Sequence, residues 1–449
     1  MIEERIAVVG GGPAGCAAAQ ALHAAGHTVR LFEQAPEIGG RTWTLRDGPD
    51  CLDTGAGFIT NFYPRVWALA KARGFTEKIQ ELHRVTGLHD GEALASLNVG
   101  SPISFIRFPL VSMGDKLRMA AWTAGLTVQR GRYDLALPKS MAPLDTRSIA
   151  ELAEEDLSEA LYHHLLRPGI EPFWYFACED VSAALAEVLT AHAAGARFFY
   201  VAGGIDQICQ SMLEGISVST RAPVTALAVE GEEVRLSFEE SGAAAEAVFD
   251  RVIIATTATV ADRLTTGLPE SVVSASQRQF LQSQAYAANI HIAFRMPRSP
   301  ESNGLNSIFP CGPGPHPLAA LSFHRAKEYG DPPDHELVSV YLSDVESRRV
   351  MDWSDEALVA HAWSLGRVVC DALPEAVPPV LHVHRRTEAI PVHAVGRYRE
   401  AVAFQTSQSA AGRAVYFCGD YLATATIDGA IATGQAAAEA LLSGGTEAG

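Results

Sequence analysis

Lysine is scarce in this 449-residue chain: Lys and Arg together number 35, and only positions 71, 78, 116, 139 and 327 are lysine. Any chemistry built on a lysine amine therefore has few places to reside. Positive charge is in deficit as a whole, because 52 acidic residues give a formal net charge of −17. That balance excludes an extended electrostatic footprint on nucleic acid and disfavours a broad approach to anionic membranes. Long hydrophobic runs are also missing, and nothing approaches the roughly 20 uncharged residues of a membrane span. The nearest candidate, residues 119–129 between Arg118 and Arg130, is too short to cross. It reads as a buried helix, with peripheral membrane contact or a substrate entrance as the alternatives. The seven cysteines, at 16, 51, 178, 209, 311, 370 and 418, form no CxxC and no Cys/His ligand spacing. Reduced thiols, no metal site and a cytoplasmic location are expected. The first strand begins almost at Met1, which leaves no room for a signal peptide.

What is present is glycine in particular places. Residues 6–9 are a short apolar run, Gly10, Gly12 and Gly15 form a GxGxxG turn, and an alanine-rich helix follows to Gly26. A second strand, 28–32, ends on Glu33, 18 residues past Gly15. Strand, glycine turn, helix, strand and acid in this order predict a dinucleotide site. The pyrophosphate would lie at the helix N-terminus and the carboxylate would hold a ribose hydroxyl. Next come Gly39, Gly40 and Arg41, then the small-residue loop 55–57, a pairing suited to a flat anionic ligand.

From about 85 to 199 helical patterns replace the strand and glycine rhythm, and no catalytic motif appears in them. His163 and His164 adjoin on one helix and cannot face one metal. Strand patterns return over 200–264, and a second excursion covers 265–390, with β-like runs at 286–296 and 336–344 and a helix predicted over 355–373 behind Ser354. The chain closes with a strand at 414–418, the Gly419-Asp420 turn and a helix from about 428. A dinucleotide that spans a domain needs contacts at both its ends, which accounts for glycine turns at both ends of the chain.

These motifs together, GxGxxG with Glu33, "GGRTWTLRDG", "DTGAGFIT" and "YFCGDY" followed by "IDGAIATGQAAA", resemble the FAD-dependent amine oxidase superfamily. Monoamine oxidases, protoporphyrinogen oxidases and phytoene desaturases are among its members. The resemblance implies an α/β fold in which a Rossmann-type FAD-binding domain (1–84, 200–264 and 391–449) is interleaved with an α+β substrate-binding domain (85–199 and 265–390). It implies that Gly10, Gly12, Ala14 and Gly15 hold the pyrophosphate and Glu33 the adenosine ribose. Gly40 and Arg41 would lie near the phosphates and ribityl chain, and Gly57, Phe58 and Ile59 near the isoalloxazine. Val224 would meet adenine, Gly419 and Asp420 the ribityl or pyrophosphate, and Ile427 to Ala430 the O2 side of the flavin.

Departures from the family pattern narrow the expectation. Asn289 stands where a flavin-facing lysine is usual, with Lys327 the only lysine in that half of the chain; Thr426 replaces a cage tyrosine; and no cysteine near "AIPVHAVG" could attach flavin covalently. Noncovalent FAD is expected, together with a small-molecule substrate and O2 or another electron acceptor. The middle segments favour a bulky, mostly apolar substrate that undergoes C–C or C–N desaturation or oxidation. Alternatives are an amine oxidase of small amines, a flavoprotein isomerase or mutase without net redox, and a cofactor-free binding protein. His393, Tyr398, His291 and Asn289 are the candidates for a catalytic role.

Overall fold

The computed structural model describes residues 3–82, 85–298, 304–327, 334–410 and 412–444. Its organising element is a parallel five-stranded sheet in the order Ser217–Ser219, Thr28–Phe32, Arg5–Val9, Arg251–Ile254, Val415–Phe417. Ile6 pairs with Val29 on one side and Arg251 on the other, and Val252 continues the ladder to Val415. Parallel strands need crossovers, and here two are long excursions through the rest of the molecule. The strands come from the start, middle and end of the chain, all within 1–84, 200–264 and 391–449.

Two helices, Pro13–Ala24 and Ile427–Gly444, cover one face of this sheet and pack on each other. Small residues make the approach possible: a Cβ on Gly434 would stand 2.1 Å from the Ala14 carbonyl oxygen. On the opposite face lies a three-stranded antiparallel sheet, Val224–Glu230, Glu233–Glu240 and Ala243–Phe249. Its apolar side meets the parallel sheet through Phe32 and Phe238, whose rings are 4.8 Å apart.

The second layer is a seven-stranded sheet in the order Val380–Pro391, Tyr286–Pro297, His335–Leu342, Leu318–Phe323, Ser307–Pro310, Val85–His89, Leu94–Asn98. The helix Asp355–Val369 packs on it, with Trp363 against Phe294 at 4.8 Å. The helices Met113–Val128, Ile149–Asp156 and Ala183–Ala193 form a separate layer. Their starts are fixed locally, by capping boxes at Ser112/Asp115 and Ser148/Glu151 and by Ser182, whose hydroxyl accepts from the Ala184 amide.

Two expectations change. Residues 85–199 are not wholly helical, because Val85–His89 and Leu94–Asn98 are strands joined by a turn in which Asp90 accepts from the Glu92 and Ala93 amides. They form an edge of the larger sheet, and their partner Ser307–Pro310 lies more than 200 residues away, so local sequence carried little sign of them. The helix behind Ser354 ends at Val369 rather than 373. Among the described residues no helix is long and apolar enough to cross a membrane, and no cluster of three or more His, Cys, Asp or Glu could hold a metal. All seven cysteines are free thiols.

Candidate active site

A single cavity of about 1650 Å³ runs from the glycine turn to the helical layer. Ordinary ligand pockets enclose roughly 300–1,000 Å³, so there is room for a large ligand and a second molecule beside it. Its polar end is the start of the helix Pro13–Ala24. Gly12 is the N-cap, no side chain caps the helix, and its first turn holds no acid. The free amides and positive helix end therefore face the cavity, as an anionic ligand requires. Gly10 has φ +112°, and a Cβ there would lie 2.5 Å from the Ala255 oxygen, whereas a Cβ on Gly12 meets nothing within 4 Å. The turn is thus closed on the protein side and open on the ligand side.

Glu33 ends its strand at the wall of this cradle, where Oε2 accepts from the Gly11 amide at 2.7 Å and Oε1 from the Ala35 amide at 2.8 Å. Val224 borders the same end. Further in, Arg41 Nη2 donates to Asp420 Oδ1 at 2.7 Å, while Arg41 Nη1 donates to the Ala389 carbonyl at 3.2 Å. Burial pulls the pKa of Arg41 down, but Asp420, joined by Tyr286 and Glu388, more than offsets it and raises the pKa, keeping the guanidinium cationic. Gly40, Gly57, Phe58, Gly419, Ile427 and Ala430 also line the cavity. Gly15 and Ile59 do not. Gly15 lies beneath the turn, where a Cβ would come within 1.9 Å of the Gly10 oxygen, and Ile59 is fully buried in the core. Both shape the cradle without touching its contents.

The first turn of the closing helix is held from both sides. Thr426 Oγ1 accepts from the Gly429 amide at 2.9 Å, so the residue expected to replace an aromatic wall is a helix cap that also lines the cavity. Asp428 accepts from the Arg65 and Val66 amides at 2.8 and 3.0 Å.

Of the four catalytic candidates only Asn289 lines the cavity, and its Nδ2 donates to the Leu342 carbonyl at 2.9 Å. His291 is buried behind the wall, bonded through Nε2 to Ser339 Oγ at 2.8 Å and stacked on Tyr341 with centroids 4.3 Å apart. His393 is also buried, stacked on Tyr398 at 5.1 Å, and burial lowers its pKa to about 3. Tyr398 shares a hydrogen bond with Thr424 Oγ1 at 3.1 Å, and burial raises its pKa. These three residues support the wall and do not reach into the cavity. Lys327 does not line it either. Its Nζ donates to the Gly57 carbonyl and lies 3.4 Å from Asp53 Oδ2, propping the 55–57 loop from behind.

The structure adds two wall residues. Arg386 pairs across strands with Asn289. Its Nε donates to His384 Nε2, its Nη2 reaches Thr54 Oγ1 at 3.4 Å, and among the described residues no carboxylate pairs with it. Burial and then Arg41 lower its pKa to about 10, and burial with Arg386 lowers that of His384 to about 3. At neutral pH the pair is therefore a guanidinium against a neutral imidazole. Tyr175 lines the cavity in a left-handed conformation, φ +66°, a strained state for a tyrosine. The "HRR" and "EPFWYF" stretches carried no spacing that would single out either residue. Beyond them the chamber is apolar, walled by Phe58, Phe173, Trp174, Leu189 and Ile390.

The model of the family described as "Flavin containing amine oxidoreductase" matches residues 13–442. Amine oxidase [flavin-containing] B of Rattus norvegicus is 32% identical over 133 residues, 27% of this chain and 26% of that protein. A probable zeta-carotene desaturase of Synechococcus elongatus is 27% identical over 192 residues, 40% of each chain. The chain thus spans well under half the length of the curated relatives it matches. Among solved structures, a putative protoporphyrinogen oxidase from Exiguobacterium sp. 255-15 superposes with a TM-score of 0.75 over 98% of both chains at 16% identity, which shows a shared fold. The glycine cradle, the Arg41–Asp420 pair and a family match over nearly the whole sequence agree: the chain belongs to the flavin-containing amine oxidoreductase family.

Proposed function

We propose that this protein is an oxidoreductase that binds FAD noncovalently and takes a hydride from a bulky, mostly apolar small molecule, oxidising or desaturating a C–C or C–N bond. The observation that carries this reading is the continuity of the cavity, which joins the uncapped helix start, Glu33 and the Arg41–Asp420 pair to an aromatic chamber. The residues fit FAD. Gly10, Gly12 and Ala14 offer backbone at a positive helix end, Glu33 offers a carboxylate for a ribose, and Arg41 offers fixed charge beside them. No cysteine lines the cavity, which supports noncovalent attachment. On this reading 1–84, 200–264 and 391–449 form the FAD-binding domain, and 85–199 with 265–390 the substrate-binding domain.

A bound flavin supplies the hydride acceptor. The chain supplies orientation and electrostatics. Phe173, Trp174 and Tyr175 exclude water and press an apolar substrate toward the 55–57 loop. Arg386 places a positive charge on the same wall, where it favours negative charge developing on a bound ring system. Two groups able to accept a proton line the same strand beside Arg386, neutral His384 and Glu388; hydride transfer itself needs no separate base. O2 or another acceptor completes the cycle.

The test is direct. The purified protein is expected to be yellow and to release intact FAD on heat or acid. Flavin retained by the denatured chain would exclude noncovalent binding, and a colourless protein that cannot be reconstituted would exclude the enzyme reading.

A further inference from the structure

The helix Met113–Val128 is sixteen residues long and contains no buried residue. Soluble helices normally hide their apolar stripe. Here Met113, Leu117, Ala120, Ala121, Ala124 and Val128 share one face, within about 100° at 100° per residue. Met113, Leu117 and Val128 are more than half exposed, Val128 at 88%. The preceding short helix Pro102–Arg107 adds Ile103 and Ile106, also more than half exposed. The same helix lends Met119, Ala120, Thr123, Ala124, Thr127 and Val128 to the cavity wall, so the exposed apolar face runs from Met113 and Leu117 on the outside to the border of the cavity itself.

The charge of this segment is opposite to that of the molecule. Residues 102–132 contain Arg107, Lys116, Arg118, Arg130 and Arg132 against the single acid Asp115, a net +4 within a chain of −17. Lys116 and Arg118 donate to backbone carbonyls, of Ile106 and Leu157, which leaves their charges unneutralised. Asp115 is engaged by Ser112 and Ser158. The nearby acids Glu155 and Asp156 are turned on Arg147.

We propose that this face docks on the surface of an anionic lipid bilayer, with the helix lying in the plane of the interface and the cavity opening toward the lipid. An apolar stripe flanked by arginine is the pattern of an interfacial helix, and clustered cations supply attraction to acidic headgroups. Charge decides between occupants. A second copy of this chain would bring one +4 surface against another, whereas acidic lipid complements it. The docking surface stands independently of which substrate the cavity takes.

The experiment is flotation of the full-length, FAD-loaded protein with vesicles of equal parts phosphatidylglycerol and phosphatidylcholine, and with vesicles of phosphatidylcholine alone. Binding is expected on the mixed vesicles and is expected to weaken as salt rises. The double variant Ile103→Asp/Leu117→Asp and the double variant Arg107→Glu/Arg132→Glu should each weaken it roughly tenfold or more. All four positions are exposed and outside the cavity, so melting temperature and FAD content should match the wild type. Absence of wild-type binding at any lipid concentration would overturn the proposal, as would equal binding by the variants. So would a concentration-dependent dimer that the same substitutions abolish, which would assign the face to a second copy.

Discussion

Arg41 and Asp420 are 379 residues apart in sequence and meet at 2.7 Å in the cavity wall. Their contact ties the second glycine turn to the closing turn, and the Arg65–Asp428 pair at 3.0 Å makes a second such tie, so ion pairs hold together a site assembled from both ends of the chain. Asp420→Ala should leave a partly buried guanidinium without its carboxylate and cost about 1–3 kcal/mol of FAD affinity, roughly 5- to 150-fold in Kd. Arg41→Ala should cost a similar amount. Isothermal titration of apoprotein with FAD measures both. The double variant should cost less than the two single losses added, because the partners act as a unit.

Glu33 holds the first glycine turn through the Gly11 and Ala35 amides while facing the cradle. Glu33→Ala is expected to lower FAD affinity by about 1–3 kcal/mol, the usual consequence of leaving buried hydrogen-bonding groups unpaired. Full FAD occupancy in dilute Glu33→Ala protein would remove the residue from the site.

The GxGxxG unit, Glu33, the "GGR" turn and the Gly419-Asp420 turn could all be read from sequence, because each is a local pattern in which spacing encodes backbone geometry. Thirteen of the fifteen residues expected to hold the cofactor line the cavity; Gly15 and Ile59 lie just beneath it. The catalytic candidates were harder to place. His291 and Asn289 are two residues apart on one strand, so alternation alone places them on the same face of the sheet, yet Asn289 reaches the cavity while His291 is covered and bonded to Ser339, a difference that only tertiary packing sets. Arg386 likewise gains its meaning from burial among His384, Thr54 and Arg41, none of it visible in "HRR".

The close approach of the first and last helices makes a steric prediction. Gly434→Val would drive side-chain carbon into the Ala14 carbonyl, a backbone atom that cannot step aside without moving the helix Pro13–Ala24. Loss of FAD content together with a fall in melting temperature is expected, measured by absorbance and calorimetry. Gly12→Ala, where a Cβ meets nothing, should fold normally.

Histidines 291, 324 and 393 are buried and His384 is half-buried; all four are held neutral, with pKa values below the ordinary 6.5 and near 3 for 324, 384 and 393. Between these values the unfolded chain binds more protons than the folded one, so their contribution is complete above about pH 6.5 and is lost as pH falls toward 3. Buried His324 and His393 each contribute a slope of up to about 1.4 kcal/mol per pH unit in that window; half-buried His384 contributes less, and His291 acts in the same direction. Melting temperature should therefore drop between pH 7 and pH 5, and His393→Phe should flatten the drop.

Arg386 makes an electrochemical prediction. Removing a largely buried positive charge from the wall disfavours the more negative reduced cofactor, so Arg386→Met should lower the flavin midpoint potential by about 30 mV or more, equivalent to roughly 1.4 kcal/mol for a two-electron couple. Spectroelectrochemical titration reads this without any substrate, and Arg386→Lys should recover part of the shift.

The central claim concerns what reduces the flavin. The chamber lacks a flavin-facing lysine, has Thr426 at the start of the closing helix, and is large and apolar beyond Tyr175. Mixing the oxidised protein anaerobically with a panel of compounds and following the flavin absorbance tests it most directly. Bulky cyclic or polyene compounds are expected to bleach the flavin readily, while benzylamine, tyramine and polyamines do so slowly or not at all. Rapid bleaching by these simple amines, at about 1 per second or faster as in a working enzyme, would contradict the account and point to amine oxidation instead.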